Sequence, residues 1–145
     1  MSFIFIINLV ISLIATGLIW TIQLVHYPSM KFIPEEKFTA YHTFHSQRIS
    51  ILAIPIMVIE LFTSFGLFYQ NGSSYNHIFT INLILVISIW ISTFMIQVPM
   101  HNTLSSAKNA RVLNHLILSN WIRTILWTAR SLLMILYLSI NFNLI

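Results

Sequence analysis

Two arginines, Arg123 and Arg130, lie within the last apolar segment of the chain, residues 116–140. A charged side chain near the centre of a bilayer costs about 3 kcal/mol or more unless it is paired or faces a polar cavity. At helical spacing, one stripe of this segment is polar and aromatic, with Arg130 on its edge; its members are Asn120, Arg123, Thr124, Trp127 and Ser131. We therefore expect this stripe to face polar partners on other helices.

The composition is that of a membrane protein. Hydrophobic residues make up 57% of the 145 residues and charged residues only 7%, whereas a soluble domain carries roughly 25% charged residues. The net charge of +4 is too sparse and scattered for a nucleic-acid surface. Because the chain has no cysteine, disulfides, thiolate metal sites and a cysteine nucleophile are excluded.

Four apolar runs are each long enough to cross a hydrocarbon core of about 30 Å as a helix. They predict an all-α, polytopic membrane four-helix bundle with up-down-up-down topology and one domain over residues 1–145, with spans at about 4–26, 49–69, 78–98 and 116–140. The first run lacks a basic n-region and a cleavage site, so we interpret it as a retained helix. Residues 70–77 predict a short turn. Pro34, Glu35 and Glu36 predict the start of an amphipathic extension that leads into the second span.

Histidines gather at one end of this predicted bundle. Three segments bring four of the six histidines to this end. These histidines are His26, His42, His45 and His101. Neutral imidazole suits Zn, Cu or Fe, and two histidines from facing helices could ligate a haem iron. The pattern thus predicts one histidine-ligated transition metal (Cu, Fe or Zn) or haem. The alternative is that these histidines only cap helix ends or bind water, since the Glu-x-x-His pattern of di-iron bundles is absent.

Glu60 is the one acidic residue within a predicted span. It lies about 18 Å beyond Arg48 along its helix, and Arg130 lies about 22 Å beyond His115 in the same direction, at 1.5 Å per residue. Because the two depths agree within a turn, we predict a structural ion pair between Glu60 and Arg130.

Short motifs at the end of span three and the start of span four resemble the anthrone-oxygenase-like family of four-span membrane proteins, most of which have no assigned activity. That family typically shows Asn-Val-Pro-x-Asn followed by Asn-x-x-Arg-Thr. Here Gln97 and His101 stand at its two motif asparagines, while Asn120, Arg123 and Thr124 match directly. The four clustered histidines are not part of that pattern. The resemblance implies oxidation of anthrones to anthraquinones by molecular oxygen.

We accordingly expect a membrane oxidoreductase, oxygenase-like, that acts on a lipophilic phenolic or quinone-like substrate near the cytoplasmic end of the bundle. Arg123, Asn120 and Gln97 would stabilise an oxyanion. His101, or His42 and His45, would remove the proton, because the ordinary pKa of histidine lies near neutrality. The substrate would contact Tyr27, Asn102, Thr124 and Trp127. Two other classes stay open: a non-enzymatic binding protein for haem, a metal ion or a lipophile, and a structural subunit.

The expected partners are the lipid bilayer and a lipophilic small molecule, without nucleic acid, and a homo-oligomer stays open. The five lysines and arginines of the connections all lie in the first and third, at Lys31, Lys37, Arg48, Lys108 and Arg111. The positive-inside rule then predicts an inner or plasma membrane protein with both termini outside.

A reporter that is active only in the cytoplasm should therefore be silent when it is fused to the C-terminus. The same reporter inserted in the third connection, near Lys108, should be active and serves as the control. Activity at the C-terminus would reverse the orientation and place the histidines at the opposite face of the membrane.

Overall fold

The computed structural model describes residues 2–70 and 76–141. Within these residues the chain forms four long helices that alternate in direction: α1 (Phe3–Phe32), α2 (Glu35–Gln70), α3 (His77–Leu104) and α4 (Ala110–Asn141). Each is long and apolar enough to cross a membrane. The predicted all-α four-helix architecture is confirmed, as is the extension that leads into the second span. The turn predicted over 70–77 lies mostly outside the described residues.

Local sequence signals explain where the helices begin. The hydroxyl of Ser2 accepts a hydrogen bond from the Phe5 backbone N–H at 3.3 Å, and the Asn109 side chain accepts from two backbone N–H groups at the start of α4. These are N-caps, which satisfy donors that a helix start leaves unpaired. The helix α2 begins directly after Pro34, with Glu35 and Glu36 in its first turn, where acidic side chains complement the helix dipole.

Two helices contain a wide turn immediately before a proline. The π-helical segments are Ile22–His26 in α1 and Thr93–Gln97 in α3. Pro28 lies two residues after the first segment, and Pro99 lies two residues after the second. We expected these spans to end at the prolines, because a proline removes a backbone donor and clashes with the preceding turn. The structure corrects this: the chain stays helical to Phe32 and Leu104, since an i to i+5 turn makes room for the proline ring.

The helices form a closed ring, in which each packs against its neighbours in sequence and α4 packs against α1. In the middle of the α1–α4 contact lie small polar side chains, where the hydroxyls of Ser12 and Thr16 lie 2.8 and 2.7 Å from that of Ser131. Small polar residues allow membrane helices to approach closely. The outer faces are apolar, with exposed side chains such as Phe62 and Ile125. The protein is therefore an integral membrane protein whose outer faces contact lipid.

A fully buried ion pair joins the helices in the half of the bundle away from the histidines. Arg130 donates to Glu60, and both side chains are at most 1% exposed. The Nε of Arg130 also donates to Asn82 Oδ1 at 2.9 Å and its Nη2 to Asn8 Oδ1 at 3.1 Å. The hydroxyl of Ser64 accepts from both asparagine amides at 3.0 Å. We call these five residues, which come from all four helices, the ion network.

The predicted contact between Glu60 and Arg130 is thus confirmed, and it allows a double-mutant test. Removing one partner leaves the other charge buried, which costs about 3–5 kcal/mol. Glu60→Gln and Arg130→Met should each lower the free energy of unfolding in detergent by that order, and the double variant should recover much of the loss.

Ser88→Ala is the matched control, because this exposed hydroxyl bonds only to the Ile84 carbonyl of its own helix. It should change stability little. Losses that simply add in the double variant would contradict a direct energetic coupling between Glu60 and Arg130.

Candidate functional site

A cavity of about 440 Å³ lies between the four helices at the histidine end of the bundle. We call it the bundle cavity. Its walls are largely apolar and aromatic, with Ile19, Ile22, Met57, Trp90, Phe94 and Trp127 among the lining residues. Polar side chains also reach the wall, among them Tyr27, Ser46, Gln97, His101, Asn102 and Arg123. An apolar cavity with a few convergent polar groups is the usual form of a small-molecule site.

Hydrogen bonds on the side away from the cavity hold Arg123 in a fixed orientation. Its Nε donates to Asn120 Oδ1 at 3.0 Å, and its Nη2 donates to the same oxygen. The amide nitrogen of Asn120 donates to Gln23 Oε1 at 2.7 Å, and the Gln23 amide donates to the Ile117 carbonyl at 3.1 Å. Both polar atoms of Asn120 are therefore used within the protein, and Asn120 is not on the cavity wall. This geometry makes Asn120 a positioning residue for Arg123.

Tyr27, His101 and His42 form a chain of hydrogen bonds that starts at Arg123. Arg123 Nη2 donates to the Tyr27 hydroxyl oxygen at 3.3 Å, and that hydroxyl lies 2.9 Å from His101 Nε2. The other ring nitrogen of His101, Nδ1, lies 3.0 Å from His42 Nε2. We assign the Tyr27 proton toward His101, which leaves His101 Nδ1–H to donate to His42. In that assignment these hydrogen bonds can pass a proton from the cavity to His42.

The structure gives no support to the predicted metal site. Its four histidines do lie at one end, where the rings of His26 and His45 have centroids 4.2 Å apart. Within residues 2–70 and 76–141, however, no group of three or more His, Asp or Glu side chains is placed to hold a metal ion. The facing nitrogens of His42 and His101 are hydrogen-bonded to each other instead. Their spacing in the sequence predicted that the histidines lie at one end of the bundle. It could not show that His42 and His101 are hydrogen-bonded to each other.

Trp127 connects the bundle cavity to the ion network. Its ring lines the cavity and lies 6.0 Å from the Arg123 guanidinium carbon. Its indole N–H donates to Glu60 Oε2 at 2.9 Å. The carboxylate that pairs with Arg130 therefore also fixes one aromatic wall of the cavity.

The remaining predicted contacts divide in two. Asn102 lines the cavity but is otherwise exposed. Thr124 is fully buried, is not on the cavity wall, and donates its hydroxyl to the Asn120 carbonyl at 3.1 Å. Further buried polar residues had no role that sequence reasoning predicted, among them Asn8, Gln23, Ser64 and Asn82. Asn8, Ser12 and Thr16 recur every four residues in an apolar run, and that helical stripe could have identified the inner face of α1.

Comparison of the chain with models of protein families, with curated proteins and with solved structures found no match. The class of protein is therefore defined by the structure: a four-helix integral membrane protein with a buried ion network and an apolar cavity that is polar where Arg123, Tyr27 and His101 meet.

The support that Asn120 gives to Arg123 can be measured. Asn120→Leu keeps the branching of the side chain but leaves buried groups of Arg123 and Gln23 without a partner, at about 1–3 kcal/mol for each group. We expect a loss of that order in the free energy of unfolding in mixed micelles. Thr103→Val is the control, because this exposed hydroxyl bonds only within its own helix. Equal stability of the two variants would contradict the positioning role.

Proposed function

We propose that this protein is a membrane oxidoreductase that binds a flat, lipophilic phenolic or quinone-like molecule in the bundle cavity and oxidises it with molecular oxygen. One observation carries the proposal: an apolar, aromatic cavity inside the membrane meets a fixed arginine, a tyrosine hydroxyl and a histidine that are joined by hydrogen bonds. A site for an ion or a water-soluble ligand would not need such walls.

The dimensions of the cavity support a small aromatic ligand. Its volume of about 440 Å³ lies within the range of about 300–1,000 Å³ that is usual for small-molecule pockets. The aromatic rings of Trp90, Phe94 and Trp127 offer faces and edges against which a flat ring system packs favourably. A lipophilic molecule would also reach the site from the bilayer that surrounds the helices.

The polar groups support chemistry at an oxygen atom of that ligand. The Arg123 guanidinium can donate to an oxygen that becomes negative when a conjugated C–H of the ligand loses its proton. The proton can be taken up through Tyr27 and His101 toward His42, along contacts of 2.9 and 3.0 Å. Arg123 is a fixed donor because Asn120 holds it, so little reorganisation is needed when the charge develops.

The resemblance to anthrone oxygenases supports a definite overall reaction. One anthrone and one O₂ give one anthraquinone and one water, so the ring carbon opposite the carbonyl loses two hydrogens and gains a carbonyl oxygen. Arg123 donates to the oxygen of the enolate that forms by loss of the first proton. The ring carbon of this enolate then bonds to O₂, and the resulting peroxide takes back the first proton. Cleavage of the O–O bond, with loss of the second hydrogen of the ring carbon as a proton, gives the new carbonyl and releases water.

Substitutions of Arg123 and Tyr27 test this proposal. Arg123→Lys keeps the charge but loses the planar set of donors. Tyr27→Phe removes the hydroxyl that connects Arg123 to His101. Each should lower anthrone-dependent oxygen consumption by about 10²-fold, Arg123→Lys because an oxyanion donor is lost and Tyr27→Phe because the proton path is interrupted. An oxygen electrode with purified protein in detergent measures the rate. Trp121→Phe on the outer side of α4 is the control and should retain the rate.

Protein-dependent binding of anthrone without any oxygen consumption would contradict the enzymatic proposal and favour a lipophile-binding protein. Absence of both binding and consumption would contradict the proposed ligand class as well.

A further inference from the structure

Arg123 has no acidic partner among the described residues. The whole chain contains three acidic residues, and the carboxylate of Glu60 is paired with Arg130. Glu35 and Glu36 are exposed in the first turn of α2, about 15 Å of helical rise before the first residue of α2 that lines the bundle cavity. Because a charge inside a membrane bundle usually has a partner of opposite sign, a ligand with an anionic group would supply what the chain itself does not provide.

One nitrogen of the Arg123 guanidinium is free to bind such an anion. Its Nε and Nη2 donate to Asn120 and Tyr27, whereas Nη1 has no hydrogen-bond partner among the described residues. The side chain is 8% exposed and lines the bundle cavity. A guanidinium nitrogen can only donate, so its complement is an oxygen anion, such as a carboxylate or a phenolate.

The bundle cavity reaches the outer surface between α2 and α3. Among the described residues of its wall, those that α1 and α4 contribute are buried or half-buried. The exposed residues of the wall all lie on α2 and α3, and they are Ile54, Phe94, Val98 and Asn102. Ile54 and Phe94 are 58% and 56% exposed. The α2–α3 side is therefore the side from which a molecule in the bilayer can enter the cavity.

An apolar groove on the same side continues the cavity along α3. We call it the outer groove; its volume is about 470 Å³, and its wall consists of Leu61, Ile87, Trp90, Ile91, Phe94 and Met95. Trp90 and Phe94 belong to the walls of both the cavity and the groove. Ile87 lies fourteen residues before His101, which corresponds to about 21 Å of helical rise. The groove thus extends from the cavity toward the middle of α3.

Polarity changes along this path as it does along a lipid molecule. Arg123, Tyr27 and His101 provide polar groups at the end of the path that lies near the end of α3, Leu104. The wall of the outer groove consists of hydrophobic residues alone. In a bilayer leaflet the polar heads likewise lie at the interface and the hydrocarbon tails in the core. An amphiphile can therefore enter between α2 and α3 in the orientation that it already has in the leaflet.

We propose that the bundle cavity and the outer groove together bind an amphiphile with one anionic oxygen group and one hydrocarbon tail. The anionic group lies at Arg123, and the tail passes between α2 and α3 into the outer groove. This inference rests on the proposed function for the site and adds the substrate class: the phenol or phenolate that is oxidised carries a hydrocarbon tail on its ring. The outer groove then selects tailed rings over rings without a tail.

Two photoreactive probes test whether the anionic group and the tail bind as one unit. Both carry a dodecyl tail with a diazirine near its end, attached to a benzoate in one probe and to an uncharged benzyl alcohol in the other. Purified protein in phosphatidylcholine nanodiscs is irradiated with each probe, and the labelled residues are identified by mass spectrometry. We expect the benzoate to label the outer groove about 10-fold more than the alcohol does, as for a hydrogen bond between charged groups.

Substitution of Arg123 tests the anionic end. Arg123→Gln removes the charge and should reduce benzoate labelling of the outer groove about 10-fold, to the level of the alcohol. Arg111→Gln is the matched control, because Arg111 is exposed at the start of α4 and does not line the cavity. It should leave the labelling unchanged. A tail in the groove that depends on Arg123 is distinguished in this way from the lipid tails that surround every membrane helix.

Substitution of Ile91 tests the tail end. Ile91→Trp fills the outer groove and should reduce benzoate labelling of the other residues of the groove to a similar extent. Ile125→Trp makes the same change on the outer side of α4, at a residue that is 62% exposed and lines neither the cavity nor the groove, and should leave the labelling unchanged. Because this test does not alter Arg123, it decides the proposal even if Arg123→Gln fails to fold.

Equal labelling of the outer groove by the two probes, or labelling that Arg123→Gln or Ile91→Trp leaves unchanged, would overturn the proposal, because the groove then holds only lipid tails of the bilayer. Labelling as expected in a protein that consumes no oxygen would support the tail subsite and contradict only the proposed reaction. Consumption of oxygen with anthrone, together with labelling that does not depend on Arg123, would contradict only the tail subsite.

Discussion

The burial of a complete positive charge, that of Arg130, is the constraint on which the rest of the structure depends. Its side chain is 0% exposed inside a membrane bundle, where no water is available to solvate it. The chain meets this requirement with one carboxylate, Glu60, and with the amide oxygens of Asn8 and Asn82. Because the partners come from the other three helices, satisfying Arg130 fixes the rotation and the depth of all four helices at once.

The burial of Arg130 also fixes part of the candidate site. Glu60 pairs with Arg130 and also accepts the indole N–H of Trp127, whose ring forms a wall of the bundle cavity close to Arg123. The two arginines of α4 therefore have different roles. Arg130 is hydrogen-bonded to protein groups and stabilises the fold. Arg123 is hydrogen-bonded to Asn120 on one side and lines the cavity on the other. Holding a donor rigidly in a low-dielectric site is what makes it effective toward a developing negative charge.

Much of this arrangement could be predicted from the sequence, because membrane helices have few permitted lengths and few permitted charges. Matched depth predicted the contact of Glu60 with Arg130, and the up-down topology brought His42 and His101 to one end. Detail at the scale of single hydrogen bonds could not be predicted. Spacing cannot distinguish two histidines that bond to each other from two that share a metal. It also cannot show that both polar atoms of Asn120 are used within the protein, or that a helix continues past Pro28 and Pro99 through a wide turn.

The two wide turns have a mechanical consequence. A π-helical turn next to a proline lacks part of the regular hydrogen-bond ladder, so it is the point at which a helix bends most easily. Tyr27 and His101 lie just beyond these points, on α1 and α3, whereas the ion network lies on the other side of them. The buried charge thus lies on one side of the two turns, and the polar groups of the cavity lie on the other. A bend at these turns would move Tyr27 and His101 and leave the buried charge of Arg130 in place.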